Sequence, residues 1–505
     1  MELYNTSPKQ LDTFIMEYLQ PNEAFLSQVK HAINLICNFL KENCFKNSDS
    51  KIKVLKIVKG GSSAKGTALR NGSDADLVVF LNCFNSYEQQ KAERRDVINE
   101  IKDMLKKCDE TNSFEVSIYE NRWPNPRSIS FDLQSRHLPD SIEFDILPAY
   151  DALGKVESHL TFEKPDPKIY VKLLEEYQDP GEYSVCFTEL QRDFIRERPT
   201  KVKSLIRLVK YWYKKHIEPQ KKMKLQPGQR LPPKYALELL VVYVWENGSG
   251  GATDFKMADA FYSFLKMVCE YKMICIYWTK YYDFQNEILK RHLRSLLAGD
   301  RPIILDPADP TGNVAAGNGW KLLADEAKVC LEKIYGFMDT VQWDVPPFKS
   351  ILLTVKLEKE NLFQSSESPA ITIKQIKEII YQCSRIPVSQ QCLIIEDDPE
   401  TGELMDSKQL LDYGIFWDAS VCVVKPQPTH ILVKNHVGRT TTYKVTLKDT
   451  VLQLKTKIEK LEKVPVAQQK LVFSGYLLED TYTLEHYQIK EGSVIFLTLR
   501  LRGGR

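Results

Sequence analysis

The segment that most constrains the fold of this chain is Lys59 to Leu81, in which a turn rich in glycine and serine precedes two aspartates and an apolar run. Residues 54–58 before it predict a strand, and residues 60–63 predict a tight turn whose backbone amides can approach a ligand. Residues 64–69 predict a short helix with its positive N-terminal end towards an anion. Phosphate is the ligand that this pattern favours, although a glycine-serine turn by itself is a weak signal.

Two aspartates, Asp74 and Asp76, lead into the apolar run 77–81, and residues two apart on a strand share a face. A third acid, Asp145, lies within the strand-like run 142–147. Taken singly, each acid is better explained as a turn cap or a partner for backbone amides. Together they favour a site for two Mg²⁺ ions, which prefer oxygen ligands, activate an attacking hydroxyl and stabilise a leaving pyrophosphate.

Charge is distributed unevenly along the chain. The 505 residues carry a formal net charge of +2, which excludes a uniformly basic protein. The segment 192–230 nevertheless contains 13 lysines and arginines against 3 acids, which indicates a local surface for a polyanion. A solvated helix face is the alternative explanation for the basic stripe formed by Lys203, Arg207, Lys210 and Lys214.

Composition also limits the compartment and the domain count. A chain of this length with 43% apolar residues is expected to form two to four domains. The start lacks a signal sequence and the apolar runs are too short for a bilayer, so we expect no membrane partner and a cytoplasmic location that can extend to the nucleus. Eleven cysteines without a CxxC pair indicate reduced thiols, and no Cys/His spacing indicates zinc.

Hydrophobic spacing and prolines divide the chain. Helices are predicted over 8–45 with a break at Pro21, over 87–108, 167–178 with Asp166 as its cap, 199–216 and 236–245. Strands are predicted over 114–119 and 128–133, so the first lobe is expected to be α/β with a mixed sheet. The prolines at 346 and 347 mark a boundary. The predicted domains are 1–158, 159–346, 349–427 and 429–505.

Four motifs carry a family resemblance: GGSSAKGTALRNGSDADLVVFL, EFDILPAYDALG, RPTKVKSLIRLVKYWY and LPPKYALELLVVYVWE. Together they resemble the 2′-5′-oligoadenylate synthetase family over roughly residues 1 to 345. The resemblance implies a bilobal, polymerase-β-like nucleotidyltransferase with a helical C-lobe, α+β overall. It implies that double-stranded RNA activates the polymerisation of ATP into 2′-5′-linked oligoadenylates, in interferon-induced antiviral defence. The absence of a zinc insertion argues against the related cyclic GMP-AMP synthases.

The resemblance also assigns residues. The catalytic and metal-binding positions are Asp74, Asp76 and Asp145, the last of which would also assist deprotonation of the acceptor 2′-hydroxyl. The positions matching the ATP site are Ser62, Arg207, Lys210, Lys234 and Tyr235. The positions matching RNA contacts are Lys59, Arg192, Arg196, Thr200 and Lys201. Two departures stand out, because the family usually has glutamine at Lys234 and glycine at Ala64.

The last part of the chain repeats itself with a period of 78 residues, since Thr372–Lys377 answers Thr450–Lys455. Each copy predicts strand, strand, helix, strand, strand, and the second copy strongly resembles ubiquitin. A synthetase followed by two such β-grasp units is the layout of the 2′-5′-oligoadenylate synthetase-like proteins. The positions of the ubiquitin recognition patch are Val472, Phe496 and Thr498, with Phe496 replacing a histidine and Thr498 a valine. Because Arg505 follows Gly504, we expect a module that docks protein partners rather than one that is conjugated.

Two functions remain open. One is the RNA-activated enzyme, and the other is a catalytically silent RNA-binding antiviral scaffold that acts through its ubiquitin-like domains. A silent member is expected to lose at least one of the three acids, and this chain keeps all of them. The sequence therefore favours the active enzyme.

Overall fold

The structure of the protein, a computed structural model, describes residues 2–42, 44–45, 51–70, 72, 74–109, 114–119, 125–135, 141–154, 164–335, 341–357, 360–398, 401–424 and 428–499. The chain divides into two compact units, Met1–Lys349 and Ser350–Arg505. The predicted boundary between residues 158 and 159, and the terminal Gly504 and Arg505, lie outside the described residues.

The first unit mixes strands and helices in its N-terminal part and is mainly helical from residue 164 onwards. Its α-helices are α1 Leu11–Phe14, α2 Glu23–Glu42, α3 Gly61–Lys65, α4 Tyr87–Asp109, α5 Pro167–Glu176, α6 Thr188–Arg196, α7 Thr200–Trp212, α8 Lys221–Lys224, α9 Lys234–Gly248, α10 Met257–Cys269, α11 Glu287–Leu297 and α12 Trp320–Tyr335. Its strands are β1 Val54–Lys59, β2 Asp74–Leu81, β3 Phe114–Ile118, β4 Ile129–Ser135, β5 Ile142–Ala149, β6 Cys275–Ile276 and β7 Ile303–Ile304. A π-helical turn, Tyr213–Ile217, extends α7.

Strands β1 to β5 form one sheet in the order β1-β2-β5-β4-β3. β2 and β5 run parallel, and the other neighbouring pairs run antiparallel, so the predicted mixed sheet is confirmed. Helices α2 and α4 supply apolar side chains to the core beside this sheet. β2 is buried from Leu77 to Leu81 because strands flank it on both edges and helices cover it, which explains its continuous apolar sequence.

Helix α9 is the centre of the helical part of the first unit, because the ten side chains from Ala236 to Trp245 are all buried. A helix that is apolar on every side needs neighbours on every side. Helices α6, α7 and α10 are among those that pack against it. Neither α9 nor any other helix in the described ranges combines the length and apolar character needed to cross a membrane.

Two local predictions at helix ends have different outcomes. Asp166 caps α5 as predicted, since its carboxylate accepts a hydrogen bond of 2.9 Å from the backbone nitrogen of Lys168. The predicted helix over residues 64–69 is wrong, because α3 begins three residues earlier. Gly66 ends α3 with a φ of 75°, a left-handed conformation that glycine adopts at little cost.

The second unit contains two domains that share one arrangement, except that the second has one strand more than the four predicted. The first comprises β8 Ile351–Leu357, β9 Glu360–Glu367, α13 Ile373–Ser384, β10 Cys392–Ile395 and β11 Ala419–Val424. The second comprises β12 Thr429–Lys434, β13 Thr440–Val445, α14 Val451–Glu462, β14 Gln469–Phe473, β15 Tyr476–Leu477 and β16 Val494–Leu499. In each domain the first strand runs parallel to the last, β8 with β11 and β12 with β16. The predicted pair of β-grasp domains is confirmed.

The internal repeat persists in three dimensions, but its period changes within the domain. Lys377 on α13 and Lys455 on α14 are 78 residues apart, and both are buried. Their ammonium groups pair with Asp406 at 2.6 Å and with Asp480 at 2.7 Å, and these two acids are only 74 residues apart. The first copy therefore has four additional residues between its lysine and its acid.

Candidate active site

Two of the three predicted acids meet at the centre of the first sheet. Asp76 on β2 and Asp145 on β5 are partners in the parallel ladder, so their side chains lie on the same face. The Ser130 hydroxyl on β4 donates a hydrogen bond to Oδ1 of Asp145 and restrains that carboxylate. The backbone of Asp74 pairs with Glu143, but the Asp74 side chain lies outside the described part of the chain. Among the side chains that are described, no group of three or more His, Cys, Asp or Glu is arranged to hold a metal ion.

Asp76 and Asp145 line a cavity of about 400 Å³, whose wall includes residues of β2, β5, α6 and α9. Its lining includes the cationic side chains Lys65, Arg94, Arg127 and Arg192, the further acid Glu182 and the ring of Tyr235. A concave space of this size that combines carboxylates, cations and an aromatic ring suits a nucleotide. The carboxylates are hard oxygen donors, which fit Mg²⁺.

One wall of the main cavity is fixed by a buried ion pair. The Arg94 guanidinium on α4 donates to Oε1 of Glu182 at 2.9 Å, and both side chains are almost fully buried. Arg127 donates to the other carboxylate oxygen of Glu182, although 55% of the Arg127 side chain remains exposed. Arg94 therefore holds the wall, while Arg127 presents positive charge to the cavity.

The glycine-serine loop is held against β2 and α7 by backbone contacts. The Gly60 nitrogen donates to the Asp76 carbonyl at 2.7 Å, and a Cβ at Gly60 would lie 3.2 Å from Cγ2 of Thr188. The Arg207 guanidinium donates to the carbonyl oxygens of Gly66 at 2.6 Å and Ala68 at 3.0 Å. Arg207 is thus engaged by the loop itself.

A buried charge cluster joins the loop to α9. Glu238 lies 3.0 Å from the Lys65 ammonium and 3.3 Å from the Lys210 ammonium. Burial opposes ionisation of Glu238, but the two lysines outweigh it and lower the pKa of its carboxyl. Burial lowers the pKa of Lys210, and Glu238 offsets part of that effect. The alternative of a solvated face for the stripe containing Lys210 and Arg207 is wrong for these two residues.

Tyr235 places an aromatic ring in the main cavity and its hydroxyl in the protein interior. The hydroxyl donates a hydrogen bond of 3.1 Å to Oδ1 of Asp306, which is buried. The Lys65 ammonium lies 4.3 Å from the ring centroid, a cation–π contact. The orientation of the ring is therefore determined from both ends.

The remaining residues predicted for ATP meet in a second, smaller space. Ser62, Lys210 and Lys234 line a cavity of about 30 Å³ together with Lys214. Lys234 also pairs with Glu218 at 3.3 Å, and 40% of its side chain is exposed. The structure thus separates the predicted ATP residues, since Tyr235 lines the main cavity and these three line the smaller one.

The residues predicted to contact RNA fall on three elements. Arg192 and Arg196 lie on α6, Thr200 and Lys201 begin α7, and Lys59 ends β1. Their charges have different protein partners. Arg192 makes a two-pronged contact with Asp193 at 2.8 and 2.9 Å, and Lys201 pairs with Asp254 at 2.7 Å. Lys59 donates to the Asn34 side chain at 3.0 Å, whereas 63% of the Arg196 side chain is exposed.

The three positions predicted to form a docking patch lie on two neighbouring strands of the second unit. Val472 on β14 is the ladder partner of Phe496 on β16, and Thr498 lies two residues further along β16, opposite Lys470. Phe496 is 49% exposed and Val472 is half-buried. The pleat places the three predicted side chains on one face.

Comparison with known proteins now bears on this geometry. The nucleotidyltransferase domain family matches residues 36–134, and the C-terminal domain 2 of 2′-5′-oligoadenylate synthetase 1 matches residues 163–350. The ubiquitin family matches residues 353–428 and 431–502. The 2′-5′-oligoadenylate synthase-like protein 2 of Mus musculus is 38% identical over 507 residues, 98% of each chain. This chain belongs to the 2′-5′-oligoadenylate synthase family.

Two further relatives in the 2′-5′-oligoadenylate synthase family match about two thirds of the chain. Synthase 1A of Rattus norvegicus is 49% identical over 356 residues, which cover 68% of this chain and 96% of the relative. Synthase 2 of Homo sapiens is 48% identical over 355 residues, 69% of this chain and 48% of the relative. The protein is therefore a nucleotidyltransferase-fold member with two added ubiquitin-like domains.

Several residues around the main cavity were missed by sequence reasoning. Glu238 lies inside the apolar helix predicted over 236–245, and Arg94 lies in the helix predicted over 87–108, and neither was a predicted site residue. Asp306 and Asp309 lie in the segment Asp-Pro-Ala-Asp-Pro, for which no site was predicted. An acid between apolar residues or prolines was the available signal, because such a side chain is seldom buried without a partner.

Proposed function

We propose that this protein is a nucleotidyltransferase that depends on Mg²⁺, is activated by double-stranded RNA and polymerises ATP into 2′-5′-linked oligoadenylates. The register of β2 and β5 carries the proposal, because it places Asp76 beside Asp145 at a cavity that also contains cations and an aromatic ring. The 2′-5′ linkage, the adenine preference, the RNA activator and an interferon-induced antiviral role in the cytoplasm are adopted from the family.

The acids define which part of the chain would hold metal. Asp76 and Asp145 would hold Mg²⁺, with Asp74 as a third ligand, and we propose two ions by analogy with the family. The ions would supply a more acidic acceptor hydroxyl and charge neutralisation at the phosphates. We assign the proton of the acceptor 2′-hydroxyl to Oδ2 of Asp145, because Oδ1 already accepts a hydrogen bond from Ser130.

Several cationic side chains contribute to the proposed binding of the donor triphosphate. Lys210, Lys214 and Lys234 surround Ser62 in the smaller cavity and can neutralise phosphate oxygens there. A lysine at position 234 supplies a third positive charge where the family usually has an amide. Arg207 acts through the loop that it holds, and Tyr235 offers its ring to the base.

The RNA site proposed here is the ridge formed by the end of α6 and the start of α7. Arg192, Arg196, Thr200 and Lys201 can contact phosphates and 2′-hydroxyls across the shallow minor groove, with Lys59 as a further contact. Contacts of this type carry little base specificity and weaken with salt. A duplex that binds one arrangement of the ridge more tightly shifts the population towards that arrangement.

The decisive experiment incubates the full chain with ATP, Mg²⁺ and poly(I:C) and resolves the linkage and length of the products. We expect 2′-5′-linked oligomers that depend on RNA, and none with Asp76→Ala, whose RNA affinity should stay within about two-fold of wild type. Glu143→Gln is the matched control on the neighbouring strand and should retain activity. Comparable turnover by Asp76→Ala would refute the assignment of the acids.

A catalytically silent scaffold is the second candidate. It is favoured by one observation, which is that Lys65 and Lys210 both pair with Glu238, so part of the positive charge near the phosphate loop is already offset. On this alternative the ridge binds RNA and the second unit docks protein partners through Val472, Phe496 and Thr498. RNA binding by the wild type without any product, in the presence or absence of poly(I:C), would support the scaffold and exclude the enzyme.

A further inference from the structure

Two buried acids lie directly behind the wall of the main cavity. Asp306 and Asp309 follow β7, and their exposed fractions are 2% and 3%. Burying a carboxylate is costly unless several donors satisfy its oxygens. The contacts of these two acids therefore show what the segment holds in place.

Asp306 receives hydrogen bonds from two helices. Its Oδ1 accepts from the Tyr235 hydroxyl at 3.1 Å and from the Ala308 nitrogen at 2.9 Å. Its Oδ2 accepts from Nε2 of Gln191 at 2.6 Å. One carboxylate thus joins the first turn of α9 to the middle of α6.

The bonds continue from Asp306 along the cavity wall. Nε2 of Gln191 also donates to the Ser184 hydroxyl at 2.7 Å. Asp309 accepts from the nitrogen and the hydroxyl of Thr311 at 2.9 and 2.7 Å. The Thr311 hydroxyl in turn accepts from the Gly181 nitrogen at 3.0 Å. Gly181, Ser184, Gln191 and Tyr235 all line the main cavity, so a single buried segment supports four of its lining residues.

Close backbone packing supports the same connection. A Cβ on Gly312 would lie 2.7 Å from Cβ of Pro180, so the segment after Asp309 fits directly against the residues that precede Gly181. An approach of this kind leaves little room for the segment to shift independently of the wall.

We infer that Asp306 is a positioning residue that holds Tyr235 and helix α6 in one fixed relation. It thereby couples the Tyr235 ring, which is proposed to contact the nucleotide, to the RNA ridge. Helix α6 carries Arg192 and Arg196 as well as Gln191, so a shift of the ridge is transmitted through Gln191 and Asp306 to the hydroxyl of Tyr235. The inference rests on the proposed function, because that function makes α6 an RNA surface and Tyr235 a nucleotide contact.

The test measures binding of α,β-methylene-ATP, which resists release of pyrophosphate, by calorimetry with and without poly(I:C). The full chain is compared with Asp306→Asn, Tyr235→Phe and the double variant. We expect each single change to weaken nucleotide affinity by roughly 5- to 20-fold, since each disrupts a buried hydrogen bond to a carboxylate. The double variant should be no weaker than the weaker single variant, because both changes interrupt one connection. Asp306→Asn sets an amide nitrogen against the Gln191 donor, and Tyr235→Phe removes the hydroxyl at the other end.

The change in nucleotide affinity on adding RNA is the readout that a purely structural role of Asp306 would leave unaltered. Poly(I:C) should increase the nucleotide affinity of the wild type and leave that of Asp306→Asn unchanged within about two-fold. Tyr335→Phe is the matched control, because it removes another buried tyrosine hydrogen bond in the first unit, 2.9 Å to the Ala258 carbonyl. That control should bind nucleotide and respond to RNA as the wild type does.

Additive effects of the two changes, or an unaltered response of Asp306→Asn to poly(I:C), would overturn the inference. If Asp306→Asn does not fold, Gln191→Met removes the link on the α6 side and must likewise abolish the response to RNA. The outcomes also separate the two proposals. A wild type that binds α,β-methylene-ATP but forms no oligoadenylate refutes catalysis alone, whereas a wild type that binds no nucleotide refutes both.

Discussion

Buried charges occur in both units of the molecule, but in different settings. In the second unit they occur at matching positions in the two domains, where Lys377 and Lys455 each reach a half-exposed aspartate at the surface. In the first unit they occur beside the cavities and pair with one another deep in the protein, as Lys210 does with Glu238. A buried ion pair that recurs at the same position in both β-grasp domains is explained by the stability of that fold. A buried ion pair beside a cavity indicates a role in binding or catalysis.

The largest expected effect tests the cavity side of this comparison. Asp145→Asn should lower oligoadenylate synthesis on the order of 10³-fold, because it removes an anion that we assign to metal and to the acceptor proton. Unfolding of the variant should be unchanged, since Ser130 can still donate to the amide oxygen. Product analysis and thermal unfolding check both points, and an Asp145→Asn enzyme with near-normal turnover would break the comparison.

The next effect tests the repeated charges. Lys455→Met should destabilise helix α14 by about 1–2 kcal/mol, because it breaks a partly buried ion pair. The loss is limited because water can solvate the half-exposed Asp480 carboxylate that remains. Hydrogen exchange of the α14 amides measures this loss, and Lys377→Met should show the same loss in α13. Oligoadenylate synthesis should remain within about two-fold of wild type in both variants. A large loss of synthesis would show that these lysines contribute to activity and not only to stability.

The stability of the first unit is expected to depend on pH through Asp306. Burial, and then the neighbouring Asp309, raise the pKa of Asp306 to about 7. The other titratable groups that face it are Tyr170 on α5, Tyr235 on α9, and Tyr281 and Tyr282 in the segment before α11. These tyrosines donate hydrogen bonds or stay neutral over the range in which the carboxyl titrates.

The direction in which the unfolding free energy changes with pH follows from proton linkage. A carboxyl with a raised pKa binds its proton more tightly in the folded chain, so its contribution to stability is full below its unfolded pKa of about 3.9 and is lost as pH rises through the folded pKa. Asp306→Asn removes this titration, and its unfolding free energy relative to wild type should therefore rise between about pH 5 and pH 8. Denaturant unfolding across that range checks the trend, which a parallel pair of curves would contradict.

The smallest effect on stability is expected at the predicted docking patch. Phe496→His and Thr498→Val together restore the residues of ubiquitin, and both positions are exposed. Unfolding should change by less than about 0.5 kcal/mol. Binding to a domain that recognises the ubiquitin patch should increase in the double variant, as measured by calorimetry. An increase of the same size in a variant changed only at exposed Tyr476 would show that the effect is not specific to the patch.

Much of the fold could be predicted because its signals are local. The apolar run of β2, the Asp166 cap and the two β-grasp copies each follow from residues close together in the chain. The position of helix α3 was predicted wrongly for two reasons. Gly66 ends the helix through its backbone conformation, and Arg207, about 140 residues away, donates hydrogen bonds to the carbonyl oxygens of Gly66 and Ala68. The repeat period was right only for the first part of each domain, since four additional residues separate Lys377 from Asp406.

The candidate site divides in the same way. The acids, the glycine-serine loop, the basic stripe and the repeat could be found from residue type and spacing alone, because these are properties of short segments. Only the tertiary structure decided that Asp76 and Asp145 are ladder partners, that Glu238 joins Lys65 to Lys210, and that Asp306 supports Tyr235. Those pairings join residues far apart in sequence, and the side chain that satisfies a buried charge is chosen by packing, which no local pattern encodes.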